Sequence, residues 1–497
     1  MKKRIILIIG LQIFLVSLLA ETGLNFEGYL EASYGANYEA DEFEWNIWDP
    51  NINFEGRFWS NPYPGSNVYF KFYSDKDNDT YKEGNSSLAV LTEGHASYKL
   101  DNNGFGFESI LFTREGGRYW LDGSMLDLLN SGSVNNDSNG QGIRWDFWLP
   151  AMSMTYIVSD FSSGNGDDVH LGRLRKELMS GKLRMGLTYQ RKNYYTGNKK
   201  DYNMLLAGDM QYQMGNYYLS WELAGTSVPS EEDVTEATKS INELDSISEI
   251  MEQNLSSKIE ISGFKTGSYD LGYIAITPGA YFIGDKYRNF MGNNDKNKSG
   301  WWINSYYLVP QRAITFTCNY SYSENTLADT LIDQDNEERL TYNPVSNLYT
   351  EAYIEFINGF KWRIYFNKKD EEWQGNDYQH YDLFTELQVE NRLAKLMTQF
   401  KIKDMGEVTE KQLWGIECSV NLNQRWKLFS RGMVANDRGG SRFSIFGELS
   451  YKIGGNTEAY IQYGPSWWGQ YGLVNDDGFA SGGEMKEEIR FLLKSWF

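Results

Sequence analysis

From about residue 25 to its last residue the chain alternates apolar and polar residues, and nowhere in that span does it gather about 18 consecutive apolar ones. A period of two describes a strand with one greasy face and one wet face. Without a long apolar run, any crossing of a bilayer has to be made by strands. Residues 353–366, YIEFINGFKWRIYF, show the pattern on both sides of Asn358-Gly359. Asn-Gly supplies the two positive-φ positions that a type I′ turn needs, so this segment reads as a hairpin. Ile354, Phe356, Phe360, Trp362, Ile364 and Phe366 then share one face, and Glu351, Tyr353, Glu355, Lys361 and Arg363 share the other.

The same alternation recurs at Phe26-Gly28-Leu30-Ala32-Tyr34, Leu183-Met185-Leu187-Tyr189, Leu383-Thr385-Leu387-Val389 and Phe443-Ile445-Gly447-Leu449-Tyr451, with polar residues between. About 24 such segments can be marked, within a range of roughly 20 to 26, most of them about 9 to 13 residues long. That length suits a tilted strand crossing the hydrocarbon layer. The connections are sorted. Tight turns near Asn102-Asn103-Gly104, Ser180-Gly181, Gly215-Asn216, Gly267-Ser268, Asn391-Arg392 and Gly454-Gly455-Asn456 alternate with polar stretches at 75–87, 115–140, 227–254, 283–298, 323–345 and 465–484. Aromatic residues make up 16% of the chain and Gly (48) far outnumbers Pro (9), which suits strands joined by Gly-rich turns. No Pro/Ser-rich linker or break in composition divides the chain, so residues 21–497 are expected to form one domain.

Before that domain, Lys2, Lys3 and Arg4 precede an apolar run from Ile5 to about Leu15, followed by Ser17 and Ala20. This is the form of a secretory signal peptide over residues 1–20, with the mature chain beginning near Glu21. The formal net charge of −20 argues against nucleic acid as a partner, because neutralising phosphates takes clustered Lys and Arg. Cys318 lies in phase with Ile314, Phe316 and Tyr320, and Cys418 with Trp414, Ile416 and Val420. Each cysteine reads as a small hydrophobe on an apolar face, not as half of a disulfide.

The chain ends EEIRFLLKSWF, with Ile489, Phe491, Leu493 and Phe497 on one face and Ser495 as the weak position in that row. In this final strand the sequence resembles the porin-like superfamily of bacterial outer-membrane β-barrels, which typically end on an aromatic residue, usually Phe. Ser495 departs slightly from that pattern, and no particular family follows from it. The resemblance implies an all-β fold: a single large transmembrane antiparallel β-barrel in a Gram-negative outer membrane, with short periplasmic turns and long extracellular loops. It also implies that the barrel-assembly machinery reads Phe497, and that outer-membrane lipids meet the oily face, including Phe360, Trp362 and Phe366.

A barrel of this size has a lumen too wide for wall side chains to fill. Because Phe26 already begins the alternation, no separate plug domain is expected ahead of the first strand. The best candidate to fold inward is 115–140, where Trp120, Leu121, Met125, Leu126, Leu128 and Leu129 call for a surface to pack on, either the lumen wall or neighbouring external loops. Arg114, Arg118 and Arg144 would flank the narrowed bore. Parity turns Lys182 and Arg184 inward, and likewise Arg173 and Arg175, forming a basic strip. That strip either favours anions in the pore or forms salt bridges with Asp146, Glu177 and their neighbours. Elsewhere on the wall, Glu351 and Glu355 face Lys361 and Arg363 as cross-strand pairs, and inward Tyr349, Tyr353 and Tyr365 could stack sugar rings.

Other features are weaker. Residues 230–253 carry Ile241, Leu244, Ile247 and Met251 at helical spacing behind a Ser230/Asp233 cap. Asp75, Asp77 and Asp79 resemble a calcium loop but lack its Gly and Glu, having Thr80 and Ser86 there. His95, His170 and His380 fall in no nucleophile or metal spacing, although His380 stands near Asp382. The reading is therefore a channel for passive diffusion of small hydrophilic solutes, with no enzymatic activity and no cofactor. Its rivals are a surface-binding or secretion-partner barrel closed by its own loops and, further off, a barrel lipase or protease.

Overall fold

The chain's structure, a computed structural model, describes residues 25–39, 42–45, 51–74, 90–102, 104–115, 118, 126, 141–160, 168–196, 199–226, 254–285, 287, 297–326, 329–332, 338–357, 359–373, 376–438, 440–464 and 488–497. The leader at 1–20, the Asp75–Asp79 cluster and the helix expected at 230–253 lie outside these residues.

Backbone N–H and C=O groups have no partner in hydrocarbon, so a sheet that crosses a bilayer must pair every edge. This one does. Each strand hydrogen-bonds antiparallel to the next, and the first, Asn25–Glu39, also pairs with the last, Glu488–Trp496, from Tyr29↔Trp496 to Asn37↔Glu488. The main sheet holds 26 strands by hydrogen bonding. Two of them are continuations: Glu42–Trp45 extends Asn51–Ser60 along the first strand, and Phe264–Ser268 extends Leu255–Ser262 along Gly272–Ile283. The result is a closed barrel of 24 staves. A separate hairpin, Asp329–Ile332 with Glu338–Thr341, stands inside the 323–345 connection, which the polar sequence there did not announce.

Alternation sorts the two faces as the hydrophobic pattern requires. Leu187, Trp414, Ile416, Phe443 and Phe356 are exposed on the outer face, the row of large apolar side chains that alternation predicts. Cys318 and Cys418 are unpaired and lie in the same outer rows. The turn after Ile357 holds Gly359 at φ +87°, where an added Cβ would sit 1.9 Å from the Glu390 carbonyl oxygen, so only glycine fits. The turns at 150–151, 179–182, 215–216, 310–313 and 391–393 stand on the rim where the C-terminus ends, and the long connections stand on the other. The long-loop rim is not uniformly long, since Thr196 pairs with Lys199, Trp373 with Asn376 and Asp437 with Gly440 there.

The seam is fastened on both faces. Gly28 N–H donates to the Phe497 carbonyl at 2.6 Å, and Phe497 N–H returns the bond at 3.0 Å. Outside, the Phe497 ring lies over Gly28 between Phe26 and Phe54, at centroid distances of 5.6 and 6.0 Å. Ser495, the weak position of the terminal row, shares a 3.0 Å hydroxyl contact with Thr457. This satisfies a polar group that would otherwise face lipid. Inside, Lys494 joins Glu31 across the seam at 3.0 Å. A Cβ at residue 28 would meet the Phe497 ring at 2.5 Å. Gly28→Val is therefore expected to cost about 1–3 kcal/mol through overpacking. The check is the fraction of refolded protein that keeps the compact, detergent-resistant band on an unheated gel; an unchanged fraction would contradict the packing at the seam.

Candidate functional site

Inward-facing positions of a wide, water-filled barrel should be polar and wet. Much of this wall is neither. Leu205 and Ala207 on Lys199–Met214, and Ala224 on Tyr217–Thr226, face the lumen and are no more than 1% exposed. Ile157, Val169 and Leu171 on the neighbouring Met152–Asp160 and Asp168–Leu178 are fully buried. Leu413 and Met433, on the opposite wall, are each 1% exposed and pack with Ala435 and Phe446. The sequence does signal these patches. At Met204-Leu205-Leu206-Ala207 and Ile110-Leu111-Phe112 the alternation gives way to apolar residues on both faces, which a strand with a wet lumen side would not carry.

Part of the covering comes from the 114–140 connection, of which the structure describes Arg114, Glu115, Arg118 and Leu126. Leu126 lies on Leu205, Ala207, Ala224, Ile283 and Tyr287. Its backbone N–H donates to Glu222 Oε2 at 2.7 Å, and Glu222 is wholly buried. The Arg118 carbonyl accepts from Arg144 Nη1 at 3.0 Å. Glu115 holds His95 Nδ1 at 2.5 Å and accepts from Arg118 Nε at 2.5 Å, while the other ring nitrogen of His95 meets Asn67 at 3.0 Å. Glu115, Arg118 and Leu126 thus all touch the inner wall, an infolding of the kind the apolar residues of this stretch suggested. Trp120, Leu121, Met125, Leu128 and Leu129 lie outside the described residues. Burial pushes the Glu115 carboxyl up, but hydrogen bonds and charge from His95 and Arg118 outweigh it and hold the group below the usual carboxylate range.

The basic strip is largely spoken for by carboxylates, as in the salt-bridge reading. Arg144 makes a bidentate pair with Asp146, at 2.7 and 2.9 Å. Arg173, 7% exposed, does the same with Asp209 at 2.7 and 3.1 Å and also donates to Thr188. Glu177 takes Arg184 at 3.2 Å and Arg175 at 4.0 Å. Arg114, at φ +57°, is half-buried and donates to the Leu91 carbonyl, so it belongs to the turn that follows the strand. On the far wall Arg363 pairs with Glu351 at 2.7 Å and lies near the rings of Tyr365 and Phe384. Glu355 stands opposite Lys361, but no ion pair joins them among the described residues. Tyr349 is engaged with Glu351 and Tyr365, which occupies a ring that a sugar would need.

His380 is not partnered by Asp382, as proximity in sequence suggested. Its Nδ1 meets Asp404 at 2.9 Å and its Nε2 meets Glu371 at 3.4 Å, so carboxylates take both ring nitrogens and leave no place for a nucleophile. Among the described residues no group of His, Cys, Asp and Glu is disposed to hold a metal ion.

No family model and no curated protein matches the chain. Several solved structures are similar in shape. The siderophore receptor PirA from Pseudomonas aeruginosa has 9% identity and a TM-score of 0.47 over 95% of this chain and 80% of that one. The P pilus usher PapC translocation pore has 8% identity and a TM-score of 0.44, covering 95% of this chain and 99% of that one. The copper transporter OprC has 8% identity and a TM-score of 0.41, covering 96% and 81%. At these values the likeness carries nothing beyond what the chain's own strands show, a closed antiparallel β-barrel of 24 staves.

The Arg173–Asp209 pair is the most enclosed of the ion pairs in the strip, and removing one partner strands the other charge away from water. Arg173→Ala is expected to destabilise the barrel by about 3–5 kcal/mol, and Arg173→Ala combined with Asp209→Ala by clearly less. Denaturant unfolding in detergent, followed by tryptophan fluorescence, tests this; equal losses for the single and double variants would show that the pair is not coupled.

Proposed function

We propose that the chain is an outer-membrane transport barrel that passes small hydrophilic solutes and whose bore is restricted where Glu115 and Leu126 dock on the inner wall, opening when those residues lift from it. The observation that carries this reading is the dryness of the inner wall, where Leu171, Leu205 and Leu413 are no more than 1% exposed and Leu126 is seated on one of the dry patches. A bore that stood open to water would wet those side chains. A second reading, a permanently closed barrel that binds a surface or secretion partner, is supported by the same closure and differs in carrying no current.

The contacts of the connection set how the gate should respond. Burial of a leucine contributes about 1.5–3 kcal/mol, and about 1.4 kcal/mol is a factor of ten in an equilibrium. Leu126→Asp should therefore raise the open probability roughly tenfold or more in planar bilayers, over rare openings of the unaltered protein near neutral pH. Current in neither protein would reject the gated pore in favour of the closed barrel. Glu115 adds a pH dependence. Its carboxyl is depressed when the connection is docked, so its anchoring is complete above the free carboxylate range and is lost as pH falls through the docked pKa. Openings should become more frequent only on acidification below that ordinary range, and Glu115→Gln should abolish the dependence. An acid response that survives Glu115→Gln would place the sensor elsewhere.

A further inference from the structure

One part of the inner wall is neither dry nor fully neutralised. Beside the short-turn rim lies a cavity of about 250 Å³ lined by Gly181, Lys182, Arg184, Gln211, Gln213 and Tyr218. Its position follows from register. Arg184 stands directly opposite Gln211, and Gln213 directly opposite Tyr218, so the four side chains form two adjacent rungs on the lumen face. Lys182 sits one step nearer the rim, where its carbonyl accepts from Gln213 N–H at 2.7 Å and ties the turn to the next stave.

All the side chains lining this cavity can donate. Arg184 gives one side of its guanidinium to Glu177 at 3.2 Å, which leaves further N–H groups on the fork. Gln211 donates to Ser220 at 3.5 Å and Gln213 to the Gly215 carbonyl at 3.2 Å, and each amide has a second N–H. Among the described residues, no carboxylate lies within ion-pair distance of Lys182. The charge balance is also positive, because Glu177 is the carboxylate that meets Arg184 and Lys182 adds a further cation. Glu260 faces Ser220 one stave beyond and does not line the cavity.

We propose that this cavity is a binding site for small dianions, of the size of phosphate or a short dicarboxylate, at the end of the bore next to the short turns. It deepens the reading of the chain as a solute passage by giving that passage an anionic cargo class. Charge-assisted donors from a planar fork, an ammonium, two amides and a phenol suit an oxyanion. The cavity is open to water, so binding is weak and sensitive to salt. It is also separate from the infolded connection at Leu126, so binding does not depend on whether the gate conducts.

The test uses the full-length barrel in detergent micelles, with inorganic phosphate as the probe and broadening of its phosphorus resonance as the readout. Phosphate should broaden on addition of protein, and succinate should reverse the broadening. Lys182→Gln with Arg184→Gln should weaken binding about tenfold or more. Glu177→Gln should tighten it severalfold by releasing the guanidinium, which a merely structural role for these residues would not do. Broadening that is unchanged in the double variant, failure of succinate to compete, or no gain in Glu177→Gln would each overturn the site. A barrel that binds phosphate in this way but carries no current would leave the site standing and remove the gated-pore reading alone.

Discussion

The structure depends on one constraint: in hydrocarbon a peptide group has no partner except another peptide group. A sheet with a free edge cannot meet it, and a sheet whose last strand returns to its first can. Everything on the outer face follows from that closure, including the row of Phe26, Phe54 and Phe497 around the seam and the hydroxyl contact that hides Ser495. The inner face is released from the constraint, because whatever fills the lumen is protein or water. That freedom is where the chain departs from a plain tube.

Two kinds of inner surface result. Most inward cations are locked to carboxylates within the same or the next stave, as in Arg144–Asp146 and Arg363–Glu351, so the wall carries less free charge than its count of Arg residues suggests. Between these pairs lie patches of Leu, Ile, Val and Met that are as dry as a soluble core. On one of them Leu126 is seated, and its backbone N–H is held by a buried carboxylate, Glu222.

The outer face was largely legible in the residues. The hairpin at Asn358-Gly359, the parity of Phe360 and Trp362 against Lys361 and Arg363, and the stave count all follow from local alternation and turn chemistry, which depend on neighbours in sequence. The inner face was only half legible. Which cations share a face is again a matter of parity, and Arg173, Arg175 and Arg184 each meet a carboxylate. Which carboxylate each one meets depends on register across staves, so Asp209 could not be assigned to Arg173, nor Asp404 to His380, from spacing alone. The contact of Leu126 with Glu222 joins residues 96 apart and left no local trace. A usable trace was present in Met204-Leu205-Leu206-Ala207, where both faces of a stave are apolar and the period of two lapses.

The two-way hydrogen bond between Gly28 and Phe497 has a consequence for how the molecule is made. It joins nearly the first described residue to the last, so the barrel's final fastening is a contact of nearly the greatest sequence separation the described residues allow. Contacts of that kind form late and slowly, because loop entropy is lost before they give anything back. Until they form, the first and last strands are open edges ready to pair with another chain. The step most exposed to misassembly is therefore the meeting of two distant strands, and it can happen only after the rest of the wall has been laid down.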